Sequence, residues 1–291
     1  MKKWLGHISA CFVVVVWGTT FVSSKVLLNH GLTPDEIFLC RAIIAYLSLL
    51  LLSHKQLLCD NWKDELIMLG MGVAGGSLYF LSENNALIYD TASNVSILVG
   101  STPLLTALLI GAVKRELRQT ALQFVGSIIA FLGMALVVLN GQLVLHLNPL
   151  GDALSIGAAA TWAVYSLLMT YVGGRYPTHL ITRKVFFYGT ITILPVVIYK
   201  GAPALTNGTL ADPLVIGNLL FLGLLASTLG YIAWNWTLER IGTVKATNYL
   251  YLQSFFTLIA AALILGETIT PIALLGILLL IGGMTLAIKK P

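Results

Sequence analysis

Apolar positions along this chain fall into ten long runs separated by short polar breaks. The runs are Trp4–Leu28, Pro34–Leu52, Leu66–Leu87, Ala92–Val113, Thr120–Leu139, Leu150–Val172, Leu180–Tyr199, Val215–Leu238, Lys245–Leu265 and Pro271–Ile288. A helix that crosses a bilayer needs about 20 largely apolar residues, so each run predicts one transmembrane helix. The connections are too short to hold a soluble domain. Pro34 and Pro271 suit a first helical turn, where the missing N–H costs little. Pro103 and Pro195 fall inside runs and predict kinks. In a membrane such breaks are tolerated where neighbours or a cavity satisfy the freed carbonyls.

The polar breaks carry a second pattern. Leu78–Leu117 and Leu229–Thr268 share one outline of helix, short break and helix, and subtracting their starts (229 − 78) gives a lag of 151 residues. That lag places Asn84 on Asn235, Leu87 on Leu238, Thr106 on Thr257 and Glu116 on Glu267. Gly126 and Gly133-Met134 match Gly276 and Gly283-Met284 at a lag of 150, and Leu5-Gly6 and Trp17 match Leu150-Gly151 and Trp162 at a lag of 145. The chain therefore reads as two copies of a five-helix unit, residues 1–144 and 145–291. Five helices per copy is an odd number, which turns the second copy upside down relative to the first. The break at Asp90 is acidic while its counterpart at Arg240 is basic, as inversion requires. Inverted repeats are a transporter signature, because two pseudo-symmetric halves can exchange conformations and open either side.

Composition and charge agree. Of 291 residues, 57% are hydrophobic and 10% are charged, with a mean hydropathy of +0.89. Soluble domains carry about 25% charged residues, so lipid is the solvent for most of this surface. The pI of about 9.1 does not indicate nucleic acid, because the basic residues sit in short clusters between apolar runs. With the N-terminus inside, fourteen of the seventeen Lys and Arg residues fall at cytoplasmic ends. Lys200 alone lies outside, and Lys25 and Arg41 lie within helices. This asymmetry predicts ten spans with both termini cytoplasmic. The fold class is an all-α membrane protein. Cys11, Cys40 and Cys59 show no pairing or metal-ligand spacing, and no cofactor or metal is implied. Lys2, Lys3 and the following apolar run resemble a signal peptide, but the segment continues to Leu28 and reads as the first transmembrane helix.

Certain residues and motifs strengthen the outline. They are WGTTF at Trp17–Phe21, the run from Ala86-Leu87 through Thr91-Ala92-Ser93 to Ser101-Thr102-Pro103-Leu104, and Leu265-Gly266-Glu267 before the last helix. Together they resemble the EamA-type permeases of the drug/metabolite transporter superfamily, over essentially the whole chain. The resemblance implies a single-chain inner-membrane exporter or permease for amino acids, other small metabolites or drugs. It also implies a central cavity lined by helices one, three, four, six, eight and nine. The chain departs from that pattern at Glu83, and at Lys114-Arg115-Glu116, where the second copy has Leu265-Gly266-Glu267.

Buried charge is costly in a bilayer and usually has a partner or a task. Arg41 and Glu83 each lie seven residues from a helix end, about 10 Å deep at 1.5 Å per residue. Lys25 lies about one turn from the outer end of the first helix. All three fall in the outer half of the first copy. One reading is a structural Arg41–Glu83 pair with Lys25 reaching the headgroups. The other is a charged vestibule, in which Lys25 or Arg41 meets a carboxylate or phosphate and Glu83 meets an amine or a coupling proton. Asn84 and Asn235 occupy equivalent positions and can donate and accept together, which suits a zwitterionic solute or an interhelical bond. Trp17, Thr20 and Ser24 share one face of the first helix, and Trp162, Tyr165, Ser166 and Met169 the matching face of the sixth. Tyr231, Trp234 and Trp236, with Asn248, Tyr249, Tyr251 and Gln253, add polar-tipped aromatics and amides. Trp4, Trp62 and Trp236 also suit interfacial anchoring. Gly70, Gly72, Gly75 and Gly76 predict close helix packing.

Other classes fit less well. Tyr89-Asp90 resembles half of an intramembrane aspartyl site, but Pro149-Leu150-Gly151-Asp152 lacks the first Gly of a GxGD partner. A channel filter wants rings of repeated groups, which a single asymmetric chain does not offer. The expectation is a secondary carrier working by alternating access as a monomer. Its ligands are a small-molecule solute and, as a candidate coupling ion, protons. Drug efflux is the alternative.

Overall fold

The computed structural model describes residues 3–52, 56–90, 92–139, 148–256, 259 and 270–288; for Lys3, Phe21, Val22, Lys25, Ala92, Ser93 and Asn94 it describes the backbone alone. The expectations for Lys25, Thr257 and Leu265-Gly266-Glu267 therefore concern side chains or segments outside the described residues.

Long helices follow the apolar runs closely. They are α1 (Lys3–Asn29), α2 (Pro34–Leu52), α3 (Trp62–Tyr89), α4 (Ala92–Val99 and Thr102–Val113), α5 (Ala121–Leu139), α6 (Pro149–Val172), α7 (Thr178–Lys200), α8 (Pro213–Ile241) and α10 (Pro271–Ile288). Between the last two, α9 begins at Thr243–Thr247, tightens into a 3-10 turn over Asn248–Tyr251 and is helical again through residue 256. Among the described residues the only strand-like feature is an isolated bridge between Gly173 and Tyr176. Among the described residues, seven helices are long and apolar enough to cross a membrane. Their outer faces carry exposed Leu108, Leu122, Leu132 and Leu278, side chains that only an apolar solvent would favour. The molecule is a multi-pass membrane protein.

Local chemistry sets the helix ends. At the end of α1, Gly31 takes a φ of +89°, a conformation open to glycine without a Cβ penalty. This lets the Gly31 N–H donate to Leu28 O at 3.0 Å and the Leu32 N–H to Leu27 O at 3.2 Å, a Schellman closure that also packs buried Leu32 with Leu27. Two residues on, Thr33 and Glu36 form a capping box. The Thr33 N–H donates to Glu36 Oε2 at 2.8 Å and the Glu36 N–H to Thr33 Oγ1 at 3.3 Å. Thr120 and Gln123 repeat the device at the start of α5.

Charges in α2 are all engaged, which explains how a helix with Asp35, Glu36 and Arg41 can pack inside the bundle. Lys200 Nζ donates to Asp35 Oδ2 at 2.7 Å, and the Ala204 N–H donates to Glu36 Oε1 at 2.9 Å. The start of α2 thus anchors the segment that follows α7. The start of α7 does the reverse. Arg183 donates to the carbonyls of Gln56 and Leu57, and Lys184 pairs with Glu65. Acids hold one end of the bundle, and bases hold the other.

The closest helix crossing joins α5 and α10. A methyl group on Gly133 would meet Leu280 N at 2.3 Å and Gly276 O at 2.7 Å, and one on Gly283 would meet Ala130 N at 2.3 Å and Gly126 O at 2.7 Å. Gly126 thus sits against Gly283 and Gly133 against Gly276. Numbers rise along one helix as they fall along the other, so the pair runs antiparallel. Small residues let two backbones approach this closely, which gains dispersion contact that lipid cannot replace.

The crossing yields a test on two adjacent glycines. Gly282→Leu adds a side chain where nothing lies within 4 Å and should leave thermal unfolding in detergent unchanged or slightly raised. Gly283→Leu should destabilise by about 1–3 kcal/mol or more, the usual cost of overpacking. Equal melting temperatures for the two variants would show that the α5–α10 contact is not made.

Candidate functional site

Three observations place the site: a nest of aromatic rings, a charged group beside it, and two widened helical turns that the rings grip. The rings come from five helices. The Trp17 ring lies 5.4 Å from Trp162, 5.5 Å from Tyr231 and 5.3 Å from Trp234, centroid to centroid. Trp162 is 4.9 Å from Tyr79 and 5.1 Å from Tyr165, and Tyr231 is 4.9 Å from Phe186. These tilted and edge-on arrangements are the favourable ones for aromatic quadrupoles. The predicted faces of α1, α6 and α8 therefore do meet, with Trp17, Trp162, Tyr165 and Tyr231 at the centre.

The widened turns are π-helical. They span Val73–Ser77 in α3 and Phe221–Leu229 in α8. Adding the repeat lag to the first (73 + 151 and 77 + 151) gives 224 to 228, inside the second. A π turn shifts backbone bonds from i→i−4 to i→i−5 and is frequent at functional sites. Here one carbonyl in each turn accepts from an aromatic side chain of another helix. Tyr231 Oη donates to Gly75 O at 2.8 Å, and Trp17 Nε1 donates to Ala226 O at 3.0 Å. Gly75 must lack a side chain, since a Cβ would lie 2.3 Å from the Tyr165 ring. The crowded glycines of α3 thus serve close packing, as expected, and also host the π turn.

Beside the rings lie Arg41 and Glu83, both buried. A direct ion pair between them is not formed: among the described residues the ion pairs within 4.0 Å are His30–Asp212, Arg175–Asp64, Lys184–Glu65 and Lys200–Asp35. Each charge takes an uncharged partner instead. Arg41 Nε donates to Ser227 Oγ at 2.9 Å, and its guanidinium carbon sits 4.3 Å from the Phe80 ring centroid. Tyr79 Oη donates to Glu83 Oε1 at 2.7 Å. Tyr79, Phe80 and Ser227 were not among the predicted site residues. Tyr79 could have been found, because it lies one turn before Glu83 on the same helix face.

The remaining candidates divide. Asn235 accepts from Tyr165 Oη at 2.5 Å and donates to Thr182 Oγ1 at 3.0 Å, which ties α8 to α6 and α7. Its counterpart Asn84 is buried beside Glu83. Ser24 is buried, whereas Thr20 is half-buried and turns back to Trp17 O at 2.7 Å. Asn248 is drawn away from the rings: it accepts from Ser127 of α5 at 2.9 Å and donates to Val244 O at 2.8 Å. Tyr251 joins a separate apolar cluster with Ala10, Val14, Ala130, Met134 and Leu280.

Among the described residues, Trp162 Nε1, Ser166 Oγ, Trp234 Nε1, Thr106 Oγ1 and Tyr251 Oη are buried polar atoms with no partner. Native proteins pair nearly all such groups. Of these, the indole N–H groups of Trp162 and Trp234 belong to the aromatic nest, where donors beside apolar rings and the Arg41 cation can take a solute with an apolar body and a polar, anionic head. No group of three or more His, Cys, Asp or Glu among the described residues could hold a metal.

Known proteins give the family. The model for the EamA-like transporter family matches residues 4–139 and again residues 149–289. An uncharacterized transporter of Archaeoglobus fulgidus is 28% identical, over 98% of this chain and 97% of its own length. A "Probable terminal-alkyne amino-acid exporter" of Streptantibioticus cattleyicolor is 27% identical, over 95% and 91%. A "Probable amino-acid metabolite efflux pump" of Salmonella typhimurium is 28% identical, over 94% and 92%. A crystal structure at 14% identity superposes with a TM-score of 0.75, covering 97% of this chain and 96% of that one, and shows the fold alone.

The indoles give a test that separates packing from recognition. Trp17→Phe removes a satisfied bond and should lower stability by about 0.5–1.5 kcal/mol. Trp162→Phe and Trp234→Phe remove unpaired N–H groups, so solute affinity should fall further than stability. Thermal unfolding and a fluorescence binding titration on each variant check this; equal stability losses in all three would remove the distinction. Because two sequence matches span both halves and almost the whole length, the chain belongs to the EamA-like transporter family, whose members are transporters and not enzymes.

Proposed function

We propose that this protein exports amino acids or closely related metabolites across the inner membrane by alternating access. Ten transmembrane helices would form two inverted five-helix halves, residues 1–144 and 145–291, with both termini cytoplasmic. The positive-inside asymmetry supports the orientation. The two family matches and the paired π turns support the halves. One chain supplies every element of the site, so a monomer suffices.

The observation that carries the reading is the juxtaposition of Arg41 and Glu83 with the aromatic nest. Arg41 presents a guanidinium held at Nε by Ser227 and backed by Phe80, and a solute carboxylate would dock on its remaining N–H groups. Glu83, held by Tyr79, would take the ammonium or carry the coupling proton. The side chain of the solute would lie among Trp17, Trp162, Tyr231 and Trp234. The names of the relatives from Streptantibioticus cattleyicolor and Salmonella typhimurium point to the same solute class. Drug efflux is the second reading, favoured by the aromatic rings but opposed by the buried cation of Arg41.

Proteoliposomes test this directly. Labelled amino acids should show saturable flux stimulated by a proton gradient. Glu83→Gln should abolish the proton-driven part while the protein stays folded. Arg41→Gln should raise the half-saturation concentration for carboxylated solutes at least about tenfold, as expected when a charged hydrogen bond worth about 1.5–3 kcal/mol is lost. Flux of planar cations but not amino acids would favour drug efflux, and leakage that never saturates would end the carrier reading.

A further inference from the structure

The basic cluster between α4 and α5 takes no part in the aromatic site, yet it borders a cavity of its own. This crevice has a volume of about 760 Å³ and is lined on one wall by Ala107, Leu108, Gly111 and Ala112 and on the other by Ala121 and Phe124. Arg115, Arg118, Gln119 and Thr120 close its polar end. The volume lies in the range of small-molecule sites.

We propose that this crevice binds an anionic phospholipid of the inner leaflet, of the phosphatidylglycerol class. Four observations select that occupant. First, the polarity is graded. Leu108 stands seven residues before Arg115, so the apolar wall reaches about 10 Å from the guanidinium level towards the bilayer centre. An acyl chain under a charged headgroup has that profile.

Second, the cations are available. Arg115 and Arg118 are exposed and form no ion pair among the described residues. Lys114, by contrast, is spoken for: it donates to Thr170 O at 3.1 Å and lies 3.9 Å from the Tyr171 ring centroid. The stem of Arg118 lies across Gly111, where a Cβ would meet its Cγ at 3.2 Å. The glycine therefore lets the guanidinium stay beside the crevice. Exposed Glu116 is not in the lining.

Third, Gln119 leaves an acceptor unused. Its Nε2 donates to Ser127 Oγ at 3.3 Å, while Oε1 is buried with no partner among the described residues. Gln119 lines the crevice, and rotation of its amide would bring this acceptor to a headgroup hydroxyl, which a phosphate cannot replace; that favours glycerol over choline as the headgroup alcohol.

Fourth, the charge belongs to one copy. Adding 151 to 114, 115 and 118 gives Leu265, Gly266 and Ile269, none of them charged. In an inverted pair those positions would face the other leaflet. The basic pair thus belongs to the face read as cytoplasmic, where anionic lipid gathers and each nearby basic residue strengthens attraction. The inference rests on that orientation, though its test does not depend on transport.

Native mass spectrometry of the purified full-length protein, titrated with dioleoyl phosphatidylglycerol or dioleoyl phosphatidylcholine, tests the proposal. Phosphatidylglycerol should bind the wild type in preference to phosphatidylcholine. The double variant Arg115→Gln, Arg118→Gln should weaken that binding at least about tenfold at an unchanged melting temperature. Lys63→Gln, which removes an exposed charge outside the crevice, should bind like the wild type. Excess inorganic phosphate should not displace the lipid. Equal binding of both lipids, an equal loss in Lys63→Gln, or displacement by phosphate alone would each overturn the proposal. Solute flux in the same variants stays a separate measurement, so failure here leaves the carrier reading standing, and the converse also holds.

Discussion

Lipid cannot satisfy a hydrogen-bonding group, and that constraint organises this molecule. In each of the two π turns, one backbone carbonyl inside the bundle takes a donor from an aromatic side chain of another helix. Tyr231 reaches from α8 to Gly75 of α3, and Trp17 reaches from α1 to Ala226 of α8. These two bonds fix the aromatic side chains that surround the site. They also connect the two widened turns, because α8 both carries one turn and donates to the other. The rings are therefore placed by backbone chemistry as well as by packing.

The same constraint sorts the charges. Asp35, Glu36, Lys184 and Glu65 sit near helix ends, where partners hold them. Arg41 and Glu83 lie deeper, and each has an uncharged hydroxyl as its direct partner. An arginine held by one serine keeps most of its donors for something else. A carboxylate held by one tyrosine keeps acceptor capacity. A carrier needs such a pair, since groups that fully neutralised one another would have no reason to bind solute. The closely packed α5–α10 glycine crossing lies apart from these groups, whereas the π turns of α3 and α8 sit against them.

Much of this was legible in the amino-acid sequence. Apart from the ninth run, which extends beyond the described residues, the apolar runs match the helices within a few residues, and α2 and α10 match at both ends, because proline marks each start. The lag matches Gly126 with Gly276 and Gly133 with Gly283 as repeat equivalents; the structure brings the same four glycines together in crossed order, Gly126 on Gly283 and Gly133 on Gly276. Less was legible where backbone geometry decides. A π turn has no simple residue code, so nothing in Val73–Ser77 announced one. The break at Gly100–Ser101 splits α4 just before Pro103, so that proline starts a helical segment instead of kinking its middle. Asn248 reads with Tyr249, Tyr251 and Gln253 as part of a polar-tipped group; it lies in the 3-10 turn and accepts from Ser127. Depth pairs Arg41 with Glu83 in one reading, but sequence depth could not show that each takes a hydroxyl partner of its own, Ser227 for Arg41 and Tyr79 for Glu83.

Accessibility of the chamber from each side tests the central claim most directly. Ser166 is buried and small, and its hydroxyl is unpaired among the described residues, so Ser166→Cys changes little. In a background with Cys11, Cys40 and Cys59 replaced by Ser, that thiol can be probed with a membrane-impermeant maleimide in right-side-out and inside-out vesicles. Alternating access around one chamber predicts labelling from both faces, slowed from both by bound solute. Labelling from one face only, untouched by any solute, would contradict it.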